Sequence, residues 1–209
     1  IEDLTHNVRR VRLQLANSKG FTFTPGQYTF VSIPETFVQE WNQKYTTSHQ
    51  QVFRPYSFAS SSSKLPYFDL IIKLARAPRG KDVPPGLAST FVHTRLKVGT
   101  VLEITGPTGD LYLRSNTGEP IIIVAGGSGA APFVSLLEYF FEKKYDQNND
   151  IYFYFGVSSK RDLFLHDRFT AWNKSKPRFH YIPSLSRPKP EDDWEGETGY
   201  IQLALEKHT

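Results

Sequence analysis

Arg54-Pro55-Tyr56-Ser57 puts a fixed cation, a flat aromatic ring and a hydroxyl within four consecutive residues. Pro55 biases Arg54 toward an extended backbone, and strand alternation then sends Arg54 and Tyr56 to one face and Ser57 to the other. A guanidinium fork suits a diphosphate, a phenol can cover one face of a ring system, and a hydroxyl can hydrogen-bond a ring nitrogen. A flavin nucleotide needs all three chemistries. Taken one at a time, the residues read better as a surface Arg, a core Tyr and a turn Ser; only the combination points to a ligand.

A second constellation is the run AGGSGAAP, in which Gly126, Gly127 and Gly129 follow an apolar strand-like stretch and Pro132 opens a helical pattern. Glycines permit a tight turn and close backbone approach, while a helix start offers unpaired N–H groups and the positive end of its dipole to a pyrophosphate. Pro at the first helical turn loses no hydrogen bond. Pro132 stands where the dinucleotide fingerprint has its third glycine, so the motif is not the standard GxGxxG, and a purely structural glycine turn would look the same. Nucleotide choice turns on Ser186-Arg187, a pair able to hold a 2′-phosphate, and on Asp162, able to hydrogen-bond a free ribose diol. Solvated surface charges remain the alternative for Arg187 and Asp162.

Three kinds of chemistry find no support. Cysteine is absent, which excludes thiolate nucleophiles and cysteine-ligated zinc or iron-sulfur clusters within these residues. The six histidines, His6, His49, His93, His166, His180 and His208, are scattered singly, read as surface or structural, and suggest no metal site. A formal charge of +4, from 25 basic and 21 acidic residues, includes no Lys/Arg run able to track a nucleic-acid backbone. Hydrophobic residues at 39% and charged residues at 22% are ordinary for a soluble globular chain. No apolar stretch approaches the ~20 residues of a membrane span.

The elements that must position these groups differ between the halves. The first half reads as a β meander: VRRVRLQL, a turn at Pro25-Gly26, QYTFVSI, a polar surface stretch from Pro34 to Gln51, VFRPYSFAS and YFDLIIKLA. A Pro/Gly-rich loop leads to a short helix from about Ser89 to Leu96. Then come VLEIT, a turn at Gly106-Pro107-Thr108-Gly109, and LYL. Many short strands suggest a small antiparallel barrel over 1–114. The second half, 119–209, alternates IIIVA, a helix from Pro132 to Lys144, IYFYFG, a helix from Arg161 to Trp172, RFHYIP and a helix from Tyr200 to Lys207. That alternation implies a doubly wound parallel sheet covered by helices on both faces, with Ser115 to Glu119 as the joint. With no initiating methionine and no strand after the last helix, the chain reads as beginning inside a longer polypeptide and as truncated at its C-terminus.

RPYSFAS, the loop-helix carrying Gly86 and Ser89, GPTG and GGSGAAP, in that order and spacing, resemble the ferredoxin-NADP reductase family over essentially the whole chain. The resemblance implies an antiparallel FAD-binding barrel followed by a doubly wound nicotinamide-nucleotide domain. Arg54 would then contact the FAD phosphates, Tyr56 would stack on the isoalloxazine and Ser57 would sit beside the reactive flavin nitrogen. Ile72 and Lys73 would belong to the next flavin-contacting strand, and Gly86, Leu87, Ala88, Ser89 and Thr90 would present a helix start to the diphosphate. Within the family, DVPPGLAST, the insertion around Trp41 and SRPKPEDDWEGETGYI look most like the FAD- and NADH-binding part of the sodium-translocating NADH:quinone reductases.

That likeness implies hydride transfer from NADH, with NADPH as the alternative, onto FAD. Electrons would then pass singly to an iron-sulfur centre outside these residues and on toward quinone. It also implies other respiratory subunits as partners and a place on the cytoplasmic side of the inner membrane, with no membrane insertion by this piece. The reductase of a multicomponent oxygenase and a flavin- or nucleotide-sensing domain without turnover are the competing readings. An oligonucleotide-binding barrel carries little weight, because the aromatics fall inside apolar runs rather than along a basic groove.

Overall fold

The computed structural model describes residues 1–113 and 117–208, so part of the expected joint at Ser115 to Glu119 lies outside the described residues. The first half supplies β1 (Glu2–Thr5), β2 (Val8–Gln14), β3 (Tyr28–Ser32), α1 (Glu35–Tyr45), β4 (Phe53–Ser57), β5 (Tyr67–Lys73), α2 (Leu87–Thr94) and β6 (Ile104–Thr108). Two three-stranded antiparallel sheets, ordered β1-β2-β5 and β4-β3-β6, pack around one core that includes Val11, Val31, Phe58, Phe68, Leu70 and Phe91. Among the described residues an isolated bridge, Phe58 to Leu70, joins the two sheets.

Local expectations fail at three places in this half. LYL forms no strand, and the expected turn at Gly106 lies inside β6, where Gly106 takes φ of 124° beside a register shift opposite β3. A glycine bulge bends a strand without ending it. The polar stretch from Pro34 to Gln51 is also not a plain loop. Phe37, Val38 and Trp41 share one face of α1 and bury it, with Phe37 5.4 Å from the Phe91 ring of α2 and Trp41 4.4 Å from that of Tyr45. Trp41 is 4% exposed, so Trp41→Ala should destabilise the chain by about 3–5 kcal/mol, read from the midpoint of denaturant unfolding.

The second half supplies β7 (Ile121–Gly126), α3 (Ala131–Glu142), β8 (Ile151–Val157), α4 (His166–Ser175), β9 (Phe179–Leu185), β10 (Glu197–Thr198) and α5 (Ile201–His208). The expected helix from Arg161 becomes a 3-10 turn at Lys160–Asp162 followed by α4, separated by Leu165 at φ 54°. All four strands run parallel in the order β10-β9-β8-β7. The reversal of strand order that defines a doubly wound sheet is not formed among these described strands. Ile151, Phe153 and Phe155 pack with Phe140 of α3 and Phe169 of α4, whereas Gly156, on the opposite face by alternation, meets Ile201 of α5. That second face is only partly covered: Ile122 and Val124 of β7 are 53% and 39% exposed.

β5 connects the halves. Phe68, Leu70 and Ile72 enter the first core, while Ile71 enters the core built on β7 and β8. The consecutive apolar residues Leu70, Ile71 and Ile72 are thus explained by packing on both faces of the strand.

Candidate functional site

A cleft of about 420 Å³ opens where the halves meet. Asn7, Val8 and Lys73 form one wall; opposite them lie Gly126, Gly127 and Ser128. Gly156, Ser158, Asp162, Ser186 and Gly199 to Gln202 complete the lining. All the parallel strands contribute their C-terminal ends, the usual ligand edge of such a sheet. Gly127 has φ of 50°, and a Cβ there would lie 4.0 Å from Lys73 Nζ. Lys73 is exposed and, among the described residues, forms no salt bridge, so its charge is free to attract an anion.

Of the residues expected here, Lys73, Gly126, Gly127, Asp162 and Ser186 line this cleft. Gly129, Pro132 and Arg187 do not. Pro132 is buried on α3, behind a 3-10 turn spanning Gly127–Ala130, so it sets the helix entry and offers no surface to a ligand. Asp162 is only half free. Its Oδ2 accepts hydrogen bonds from Ser159 N (3.0 Å) and Oγ (2.7 Å), leaving Oδ1 3.8 Å from His6 Nε2. Ser186 is anchored through its N–H to the Val157 carbonyl, and the exposed Arg187 likewise through its N–H to Ser158 O.

Arg54, Tyr56 and Ser57 are likewise absent from the cleft lining. They lie on β4, and the antiparallel bridge at Phe58–Leu70 runs the Arg54 end of β4 in the direction of the Lys73 end of β5. Arg54 is exposed; Nη1 donates to the Phe53 carbonyl at 2.9 Å, and no ion pair is formed among the described residues. Tyr56 packs partly into the first core, where burial pushes its phenol up to about 12 against the opposing charge of Arg54. The hydroxyl therefore stays protonated and can donate.

The start of α2 is locked by backbone. Gly86 N–H donates to Ala75 O (2.8 Å), Ser89 Oγ donates to Gly86 O (3.0 Å), and Ser89 Oγ accepts from Ala75 N (3.1 Å). Leu87, Ala88 and Ser89 are buried, so this end offers backbone N–H groups rather than those side chains. Ile72 is also buried and cannot touch a ligand through its side chain; its carbonyl lies 3.1 Å from His93 Nε2. Two features fit a bound phosphate-bearing group. No side chain caps α2, and the buried Thr90 Oγ1 has no hydrogen-bond partner.

Residues 1–112 match the family described as "Oxidoreductase FAD-binding domain". The chain belongs to that family. Residues 123–209 match the "Oxidoreductase NAD-binding domain", making the whole an FAD- and NAD-binding oxidoreductase module. The uncapped α2 and the unpaired Arg54 fit the FAD that this family binds.

The phenol hydroxylase P5 protein of Acinetobacter pittii is 31% identical over 205 residues, which are 98% of this chain and 51% of that protein. A subunit of the Na(+)-translocating NADH-quinone reductase of Actinobacillus succinogenes is 31% identical over 186 residues, 85% of this chain and 44% of that protein. The chain thus spans about half the length of these curated relatives. An Amycolatopsis cytochrome P450 reductase superposes over 100% of this chain and 55% of its own with a TM-score of 0.79 at 24% identity, a likeness of fold.

Several lining residues escape sequence reasoning. Asn7 and Val8 come from the opposite end of the chain, where nothing local marks them. Gly156 and Gly199 had a readable signal: each is a glycine at or just past the C-terminal end of a parallel strand. A Cβ on Gly156 would stand 2.8 Å from Ile201 Cβ, so the bare backbone is what admits α5.

Proposed function

We propose that this module transfers hydride from NADH to FAD and delivers the electrons singly to an iron-sulfur centre on another domain or protein. In the full-length protein the destination is quinone, in a sodium-translocating respiratory complex at the cytoplasmic face of the inner membrane. The observation that carries the transfer step is the cleft in which Lys73, at the end of a flavin-side strand, faces the Gly126-Gly127 turn of the nucleotide-side sheet. Bound FAD would supply the ring that accepts hydride and releases electrons one at a time.

The chain supplies binding and orientation. Arg54 and the α2 start, from Gly86 to Thr90, hold the diphosphate by charge and by N–H groups. Tyr56 covers one ring face, Ser57 donates its hydroxyl to the reactive edge, and the Ile72-Lys73 backbone completes the rim. Gly126, Gly127 and Gly129 keep the nucleotide-side turn bare so that the dinucleotide can come close, and Pro132 fixes the helix behind it. Asp162 in the cleft, with Arg187 outside it, supports NADH over NADPH; Ser186 contacts the ribose side. No general base is required, and rate comes mainly from holding the reacting rings together.

The respiratory assignment is supported by the relative in Actinobacillus succinogenes. The match to a phenol hydroxylase protein over 98% of the chain favours a second reading, in which the acceptor serves a hydroxylase. Ser57→Ala should slow flavin reduction by roughly tenfold in an anaerobic stopped-flow trace, with FAD affinity changed less than about twofold. An unaltered single-turnover rate would remove Ser57 from the mechanism, and a wild-type flavin that NADH fails to bleach would sink the activity itself.

A further inference from the structure

Away from the cleft, one face of α3 meets the segment that leads into β5. Ser135, Glu138 and Glu142 lie three and four residues apart, so they share that face. Ser135 Oγ donates to the Ser60 carbonyl at 2.7 Å. Glu138 Oε2 accepts from Ser61 N–H and from Lys64 Nζ, each at 2.7 Å, while its Oε1 accepts from Arg168 of α4. Glu142 accepts from Ser61 Oγ at 2.7 Å and from Ser63 Oγ at 2.8 Å. Ser60 is held in turn: its Oγ accepts from Asp69 N–H, and the Asp69 carboxylate accepts from Arg12.

Glu138 is 6% exposed and takes no part in the proposed transfer step. Burial by itself would raise its pKa, but hydrogen bonds from Lys64, Ser61 and Arg168 outweigh that and hold the carboxyl below the usual range. A buried carboxylate with three donors is costly to uncouple, because removing one leaves charge unpaired.

The placement matters more than the strength. α3 begins at the glycine turn, and β5 ends at Lys73. The glycine turn before α3 and Lys73 at the end of β5 line the same cleft, and two turns along α3 Glu138 meets Ser61, in the segment before β5 that Ser60 ties to that strand through Asp69. Between them Ile71 and Ala59 pack in one core with Val134 and Leu137. One contact point between two rigid elements is a pivot; two points set the angle.

We infer that Glu138 is a positioning residue, which, through Ser61, Lys64 and Arg168, holds the glycine turn at the distance and angle from the flavin-side strand that hydride transfer needs. The inference rests on the transfer reading above. Errors of about an ångström in such geometry cost on the order of a hundredfold in rate.

The test uses full-chain Glu138→Gln, which keeps shape and loses charge, and Lys64→Met at a side chain that is 42% exposed. Two quantities are measured: the limiting rate of flavin reduction at saturating NADH with FAD affinity alongside, and amide exchange of the apoprotein. Support is a rate fall of about tenfold or more with FAD affinity within about twofold, partial rescue by Glu138→Asp, and loss of protection at Ser61 N–H while β8 stays protected. A normal rate in both variants overturns the inference, as does a fall that occurs only with loss of FAD or of β8 protection. Should Glu138→Gln fail to fold, Lys64→Met is judged by the same criteria. Wild-type protein that NADH does not reduce would sink the transfer reading separately, and unchanged Ser61 protection in the variants would then overturn the two-point tie.

Discussion

Gly127→Val is expected to leave FAD bound while flavin reduction by NADH falls by about a hundredfold or more. At φ of 50° the position lies in the left-handed region, which costs an L-residue roughly 1–2 kcal/mol and a β-branched one more. The turn must therefore move or strain. The new Cβ would start 4.0 Å from Lys73 Nζ, so its methyl groups crowd the cleft beside that cation and displace it or the substrate. Arg54, Tyr56 and the α2 start are on separate elements, so FAD titration of the apoprotein should be unchanged. Near-wild-type reduction by Gly127→Val would mean that the dinucleotide does not use this turn.

Gly86→Val should do the reverse, lowering FAD affinity by about tenfold or more while the nucleotide-side sheet stays intact. A Cβ at Gly86 would fall 2.8 Å from Ala75 Cβ and 2.9 Å from Ser89 Oγ, closer than packed atoms stand. The helix start must swing away from Ala75, which breaks the Gly86 N–H bond to Ala75 O and the Ser89 lock together. Hydrogen bonds to charged groups contribute roughly 1.5–3 kcal/mol each, so losing one aligned donor to a diphosphate accounts for a change of this size. Quenching of flavin fluorescence on titration reads the affinity. Full affinity in Gly86→Val would place the diphosphate elsewhere.

Much of the fold is legible locally. IIIVA, IYFYFG and RFHYIP are strands because continuous apolar runs between helical patterns suit a buried parallel sheet, and they become β7, β8 and β9. The helix at 35–45 was legible too, in Phe37, Val38, Trp41 and Tyr45 at helical spacing, but the polar neighbours and a leading proline masked the period. LYL reads as a strand by composition yet forms no strand among the described residues, because a strand exists only where a partner edge is offered. Ile72 and Lys73 look alike as members of one strand. Alternation puts Ile72 into a core and Lys73 into the cleft, and nothing local says which of two faces is the core when both are covered.

By itself the sequence determined which residues could do chemistry and which local shapes they take. Arg54-Pro55-Tyr56-Ser57 had to be extended, and the glycines after IIIVA had to turn before a helix, because proline, glycine and hydrophobic period act over a few residues. Only the tertiary structure decided what those shapes face: that Asn7 and Val8 close a cleft built mostly from residues beyond 120, that Pro132 is buried, that Asp162 spends one oxygen on Ser159, and that Glu138 ties α3 to Ser61. Each of those facts depends on segments far apart in the chain being brought together by core packing, and no residue carries in its own neighbourhood the identity of a partner it meets only after folding.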